Sequence, residues 1–223
     1  MRIYLRNPSG ASETMATMRA LLRSTILAAG LALAGAGAVA GTPKIPATPE
    51  NKADLARIEQ YLTGIRSMQA RFLQQAGGGG LSEGTVYLER PGKMRFEYDP
   101  PSTTQIVADG TWLFFWDGEL KQITQVPLGS TLADFIVRSE PSFTQGVTVT
   151  GLERGAGTIE VTLVSDEDPD AGTLSLIFSD APLELKKWRI VDSQGVPTEV
   201  ALLDPAIGLP LDRKKFVFIR PEW

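Results

Sequence analysis

The chain reads IVADGTWLFFW at residues 106–116, with an Asp-Gly pair between two apolar runs. Such a pair is one of the strongest short-range signals for a β-hairpin. If the pair forms a two-residue loop, Ile106 faces Leu113, and Phe115 lies on the same face of the sheet. The other face then carries the remaining large side chains, which are Val107, Trp112, Phe114 and Trp116. Because both faces are apolar, one of them must meet helices or a ligand.

The chain continues in the same pattern on both sides of this hairpin. A second Asp-Gly pair at 117–118 predicts another tight hairpin. Turn signals recur roughly every eight to twelve residues, and the runs between them alternate with a period of two. The first run starts at Ser67 and the last lies at 215–219. We count about eleven strands, which predicts a mainly β protein with a strongly curled antiparallel sheet or barrel.

Two helices are predicted on one side of this sheet. Thr48 can cap the first, whose apolar face repeats at helical spacing in Leu55, Ile58, Leu62 and Ile65. Ser130 can cap a second, short helix, which carries Leu132, Phe135 and Ile136 on one side.

The composition excludes several classes of function. Cys and His are both absent from the 223 residues. Their absence removes Ser-His and Cys-His nucleophile pairs, thiol redox chemistry and nearly every zinc, copper or haem site. We therefore expect no metal and no cofactor. The net charge of −4 provides no basic surface that could follow a phosphate backbone, so nucleic acid is not an expected partner.

The first 40 residues are typical of a targeting segment. Arg19 and Arg23 precede an uninterrupted run of small and apolar residues at 24–39, and the run ends in Ala-Val-Ala at 38–40. This is the layout of a secretory signal peptide with its cleavage site. The run is also shorter than the ~20 residues that span a membrane. We expect an N-terminal extension with a cleaved signal at 1–40, a flexible leader at 41–48, and a soluble product in the periplasm.

A curled sheet of about eleven strands must have an interior, because eight strands already enclose a space that their own side chains fill. The pattern of residues leaves two possible contents. Aromatic side chains at strand spacing are more often core than pocket, so the two helices can simply plug the sheet. Alternatively, the interior binds an apolar ligand.

Two stretches of the chain carry a resemblance to a known family. YLERPGKMRFEY at 87–98, followed by IVADG and LFFW at 106–116, resembles the LolA family of outer-membrane lipoprotein carriers. FLQQ at 72–75, the segment 122–126, the turn at 192–195 and FVF at 216–218 also look like family positions. The resemblance covers essentially all of 49–223, which we interpret as one LolA-like carrier domain.

The resemblance implies a fold and a function. The fold would be an incomplete antiparallel β-barrel covered by short helices, with an apolar interior for the acyl chains of lipoproteins. The protein would be a periplasmic carrier and not an enzyme, since no bond is made or broken. It would receive lipoproteins from an ATP-driven release complex in the inner membrane and deliver them to an outer-membrane receptor. We expect it to act as a monomer.

The resemblance also implies a site made of cavity and lid. Arg90 corresponds to an arginine that ties the barrel to its lid, while Phe96 and Ile106 fall on cavity positions. The hairpin register places Leu113 and Phe115 beside them. The predicted ligand-binding residues are Arg90, Met94, Phe96, Ile106, Leu113, Phe115, Phe72, Leu132, Phe135 and Ile136.

Three other interpretations compete with a lipoprotein carrier. An acidic cluster at 166–170 suggests Ca²⁺, but Ala171 occupies the position of the required glycine, and Ile177 stands where a bidentate Glu belongs, so a solvated loop is favoured. Carboxylates are plentiful, yet no spacing supports a glycosidase. The serious alternative is a periplasmic module of the same fold that binds or senses another lipid or a glycolipid.

Overall fold

The computed structural model describes residues 44–221, and its main feature is one antiparallel sheet of eleven strands. The strands are β1 (Ser67–Ala76), β2 (Leu81–Glu89), β3 (Lys93–Tyr98), β4 (Gln105–Asp109), β5 (Trp112–Asp117), β6 (Gln122–Pro127), β7 (Val147–Gly155), β8 (Thr158–Ser165), β9 (Gly172–Asp180), β10 (Leu183–Asp192) and β11 (Pro197–Ile207). Their order in the sheet is β6-β5-β4-β3-β2-β1-β11-β10-β9-β8-β7. The mainly β, open architecture is thereby confirmed.

Two α-helices accompany the sheet in the described part of the chain: α1 (Pro49–Gly64) and α2 (Ala133–Val137). Thr48 caps α1 as predicted, because its side chain accepts a hydrogen bond from the backbone N–H of Asn51. The predicted cap at Ser130 is wrong. The chain first makes a 3-10 turn at Leu128–Ser130, so the Ser130 hydroxyl donates back to the carbonyl of Pro127 and α2 begins later, without a side-chain cap. Neither helix is long and apolar enough to cross a membrane, as judged over residues 44–221.

Residues 128–146 form the connection from β6 to β7, which we call the crossing segment. It starts where β6 ends, at the rim that also carries the β2–β3 and β4–β5 turns, and it leads to β7 at the opposite rim. Within residues 44–221, β6 and β7 are the edges of the sheet and no ladder joins them. The crossing segment contributes Leu128, Leu132, Phe135, Ile136, Val137 and Phe143 to the core.

The hairpin that suggested the fold has a different register from the predicted one. Ile106 pairs with Phe115 and Ala108 with Leu113, so the pairing is displaced by two residues, and Gly110 and Thr111 lie between the two strands. The reason is an Asx turn, in which the Asp109 carboxylate accepts hydrogen bonds from the backbone N–H groups of Thr111 and Trp112. A slip of two residues preserves the face of every side chain, because strand side chains alternate with a period of two.

The second Asp-Gly pair behaves in the same way. Asp117 pairs with Gln122 across β5 and β6, and its carboxylate accepts from the backbone N–H groups of Glu119 and Leu120. This loop, residues 118–121, has four residues and not two, because the carboxylate holds a wider turn than a type I′ loop would make.

The predicted strand at 215–219 is wrong. The chain makes a 3-10 turn at Arg213–Phe216 and lies across the outer face of the sheet. The Lys215 ammonium sits 4.0 Å from the ring centroid of Tyr87, and Phe218 stacks on Phe114 at 5.0 Å. This segment covers the second apolar face of the β4–β5 hairpin, and this cover explains why both faces of that hairpin are apolar.

Gly84 provides a direct test of how tightly the concave face is packed. A methyl group at this position would overlap the backbone carbonyl of Glu97 and the ring of Phe72. We expect Gly84→Ala to lower the free energy of unfolding by about 1–3 kcal/mol, the usual range for overpacking. Urea denaturation measures this change. Gly64→Ala is the matched control, since nothing lies within 4 Å of the added methyl group, and an equal loss in both variants would contradict the packing.

Candidate functional site: an apolar interior closed by two helices

The concave face of the sheet contains a cluster of aromatic side chains. Phe96 lies at its centre, 5.0 Å from the ring centroid of Phe72 and 6.2 Å from that of Trp188, both edge to face. Tyr98 completes the cluster and donates a hydrogen bond from its hydroxyl to Gln74 over 2.8 Å. Burial raises the pKa of Tyr98, so its phenol stays neutral. The interior is therefore apolar and uncharged around Phe96.

Side chains from α1 and the crossing segment fill the space above this face. They leave a cavity of about 10 Å³, which is room for about one water molecule. The lining residues are Leu62, Ile65, Met68, Leu88, Arg90, Phe135, Ile136, Leu176 and Leu185. Side chains of α1 and of the crossing segment, which together we call the lid, thus occupy the interior in this structure.

Arg90 lies at the junction of sheet and lid, where it is only 8% exposed. Its guanidinium donates hydrogen bonds to the carbonyl of Leu62 in α1 and to the carbonyl of Ile136 in α2, the latter from Nη2 over 2.8 Å. Burial, together with the nearby charge of Arg66, lowers the pKa of Arg90 to about 10. The side chain therefore stays charged at neutral pH and satisfies carbonyls that end both helices.

The turn after Arg90 adds a backbone hydrogen bond to α2. Gly92 donates from its N–H to the carbonyl of Val137 over 2.7 Å. Helix α2 is short, and its terminal carbonyls have no partners within the helix. The β2–β3 turn therefore supplies donors to two consecutive carbonyls at the end of α2.

The predicted site residues fall into three groups. Phe72, Met94, Phe96 and Leu113 of the sheet and Leu132, Phe135 and Ile136 of the crossing segment belong to one buried cluster, beside Arg90. Ile106 is half-buried against the margin of this cluster. Phe115 is buried on the same face but lies outside it. The geometry brings most of the set together, and its role in binding stays a prediction.

Several residues of this interior were not in the predicted set. Leu88 pairs directly with Met94 across β2 and β3, so strand alternation alone could have found it. Leu62 and Ile65 lie on the apolar face of α1, which the sequence identified as a cover of the sheet without including these two residues in the site. Trp188, Leu176 and Leu185 lie on strands far along the chain, and only the curl of the sheet brings them to Phe96 and Arg90.

The family assignment follows from the match along the chain. A family model described as "Outer membrane lipoprotein carrier protein LolA" matches residues 63–219, which includes every strand and the crossing segment. The chain belongs to the LolA family. Membership agrees with a role as a lipoprotein carrier, and the LolA family consists of transport proteins and not enzymes.

Individual relatives support the same assignment. A protein of Chromohalobacter salexigens named outer-membrane lipoprotein carrier protein is 30% identical over 198 residues, which cover 83% of this chain and 92% of the relative. One of the same name from Alkalilimnicola ehrlichii is 32% identical, covering 72% and 71%. The solved structure of a LolA-superfamily protein from Nitrosomonas europaea is a more distant likeness, with 12% identity and a TM-score of 0.41 over 74% of this chain and 97% of that one.

No cluster of three or more His, Cys, Asp or Glu side chains that could hold a metal ion occurs within residues 44–221. The acidic residues at 166–170 lie in the loop between β8 and β9, around the 3-10 turn Pro169–Ala171. The site of this LolA-family chain consists of buried apolar side chains, with the charged group of Arg90 where the sheet meets the two helices.

Proposed function

We propose that the chain is a periplasmic carrier that shelters the acyl chains of lipoproteins in this apolar interior. In this proposal it takes lipoproteins from an ATP-driven release complex in the inner membrane and delivers them, as a monomer, to a receptor at the outer membrane. The observation that carries the proposal is Arg90, a buried cation whose hydrogen bonds hold two helices over an apolar face.

The physical need for such a carrier is large. Each methylene moved from an apolar environment into water costs about 0.8 kcal/mol. A single acyl chain of ~15 carbons therefore costs on the order of 12 kcal/mol to move through water uncovered. An interior lined by side chains such as Phe72, Phe96 and Trp188 removes most of that cost.

A carrier must also release what it binds, and the lid supplies the competitor. Leu62, Ile65, Phe135 and Ile136 occupy the interior in the closed form, so cargo and lid exclude each other from the same apolar space. Burial of the lid side chains and the hydrogen bonds of Arg90 favour the closed form, while burial of acyl chains favours the open form. The free energies of the closed form and of the open, loaded form must be nearly equal, so that the protein can both take up a lipoprotein and release it.

The periplasmic location of the protein forms part of the same proposal. The signal segment at 1–40 lies outside the described residues, and its cleavage would release the chain into the periplasm. The flexibility of the leader at 41–48 stays a prediction. Its described part contacts the sheet edge, since Ile45 donates from its N–H to the carbonyl of Val149 over 3.2 Å.

The test is to express the full-length chain in a Gram-negative bacterium, purify it from the periplasm and identify the bound molecules by mass spectrometry. We expect acylated lipoproteins to co-purify in roughly equimolar amounts with the wild type and to be absent from a Phe96→Glu variant purified in parallel. Recovery of a different lipid or a glycolipid alone would favour the lipid-binding or sensing alternative. Recovery of no acylated molecule would contradict both.

A further inference from the structure

Ion pairs attach α1 to the half of the sheet that contains β7, β9 and β10. Arg154 of β7 contacts the Asp54 carboxylate at 2.6 Å, and Arg57 contacts Asp180 at the end of β9 at 2.7 Å. Arg154 also donates to the side chain of Asn51 over 3.0 Å. Each exposed pair contributes little alone, but these share partners and all lead to the same side of the sheet.

A buried contact attaches α1 to the same half. The backbone N–H of Leu185 in β10 donates to the Tyr61 hydroxyl over 3.0 Å, and the Tyr61 ring meets Phe178 of β9 edge to face at 6.0 Å. Helix α1 is therefore fixed to β7, β9 and β10 along its length. The hydrogen bond from Arg90 to the carbonyl of Leu62 ties α1 to the other half of the sheet, at the β2–β3 turn.

The crossing segment is attached differently. In its middle, Ile136 and Val137 accept hydrogen bonds from Arg90 and Gly92 of the β2–β3 region. Near the end that leads to β7, Phe143 donates from its backbone N–H to the Glu59 carboxylate of α1 over 2.6 Å. Phe143 also stacks on Phe135 at 5.3 Å, so α2 and the residues before β7 pack against each other as one unit.

We propose that Glu59 is a second latch of the lid, meaning a group that holds the crossing segment closed, and that the crossing segment moves while α1 stays with β7, β9 and β10. Glu59 is half-buried on the face of α1 that meets the crossing segment. A carboxylate that accepts from a backbone N–H forms one of the stronger hydrogen bonds in proteins. Opening through the crossing segment breaks the bonds that Ile136, Val137 and Phe143 make with Arg90, Gly92 and Glu59. Opening through α1 would instead break its bonds to Arg90 and Phe143 together with its attachments to β7, β9 and β10. This inference rests on the proposed function, which it extends by naming the moving part.

Amide hydrogen exchange in the lipid-free protein tests the latch directly. We expect Glu59→Ala to speed exchange at the Phe143 amide on the order of tenfold or more, while amides of β1 keep their wild-type rates. Glu59→Gln keeps an acceptor in place and should restore most of the protection. Gln60→Ala is the control, because Gln60 is exposed on the same helix. Unchanged exchange at Phe143 in Glu59→Ala would overturn the latch, and a slowdown or acceleration shared by β1 would show a merely structural role.

The moving part is tested by adding palmitic acid to the wild type. We expect amides at 131–146 to lose protection while amides at 53–62 keep theirs, and we expect Glu59→Ala to bind palmitic acid faster than wild type. Loss of protection in α1 instead would overturn the assignment of the moving part. Absence of any palmitic acid or lipoprotein binding would count against the proposed function, and the lipid-free exchange result would still decide whether Glu59 holds the segment.

Discussion

Replacing Arg90 with leucine is expected to leave the sheet folded and to slow the release of bound cargo about a hundredfold. The variant removes the donors to the carbonyls of Leu62 and Ile136, which end the two lid helices. Hydrogen bonds to charged groups are worth about 1.5–3 kcal/mol each, so the closed form loses roughly 3 kcal/mol relative to the open, loaded form. Every 1.4 kcal/mol is a factor of about ten in an equilibrium.

The measurement is the transfer of a fluorescent acylated lipopeptide from the purified protein to outer-membrane vesicles. Arg66→Leu is the matched control, because Arg66 is an exposed cation near Arg90. Arg90→Lys keeps the charge but cannot reach both carbonyls with a planar group, so it should transfer at an intermediate rate. If Arg90→Leu hands over the lipopeptide as fast as wild type, Arg90 does not hold the lid.

Phe96→Glu is expected to reduce the binding of an acyl probe at least a hundredfold. Phe96 is 5% exposed and contacts Phe72, Tyr98 and Trp188. A carboxylate there has no cationic partner among these side chains, so it must either stay hydrated, which excludes the acyl chain, or become protonated at a high free-energy cost. Fluorescence titration with a labelled fatty acid measures the affinity.

Phe96→Ala separates the charge from the loss of packing. It should lower the free energy of unfolding by about 3–5 kcal/mol, as large-to-small core changes do, while binding the probe at least as tightly as wild type. Circular dichroism shows whether each variant is folded. Equal binding by Phe96→Glu and wild type would remove Phe96 from the cavity, and weak binding by both variants would assign the effect to packing alone.

The sequence predicted those parts of the fold that depend on local pattern. Alternation along residues 106–116 placed Ile106, Leu113 and Phe115 on one face, and this assignment survived a hairpin register that was wrong by two residues. It survived because a slip of two returns each side chain to its own face. The register itself was not predictable in this way, since it depends on the hydrogen bonds that the Asp109 carboxylate accepts from the backbone N–H groups of Thr111 and Trp112.

Features that depend on distant segments were harder to predict. The segment after Asp212 has the alternation of a strand, but it lies on the outer face of strands whose backbone groups already pair with neighbouring strands. It therefore contacts the sheet through side chains such as Lys215 and Phe218. Arg90 was assigned to the lid by resemblance, and the structure supplies its two carbonyl partners. Glu59 gave no signal, because a Glu on a polar helix face looks the same whether or not another segment lies against it.

The gap between β6 and β7 has a consequence for what the interior can hold. A barrel with a continuous ladder has a circumference fixed by its strand number and stagger. Here, among residues 44–221, the two edge strands share no hydrogen bonds, so the sheet can uncurl slightly through its twist while every existing ladder stays intact. The width of the interior is thus adjustable, and under the proposed function the same set of strands would enclose acyl chains of different length and number.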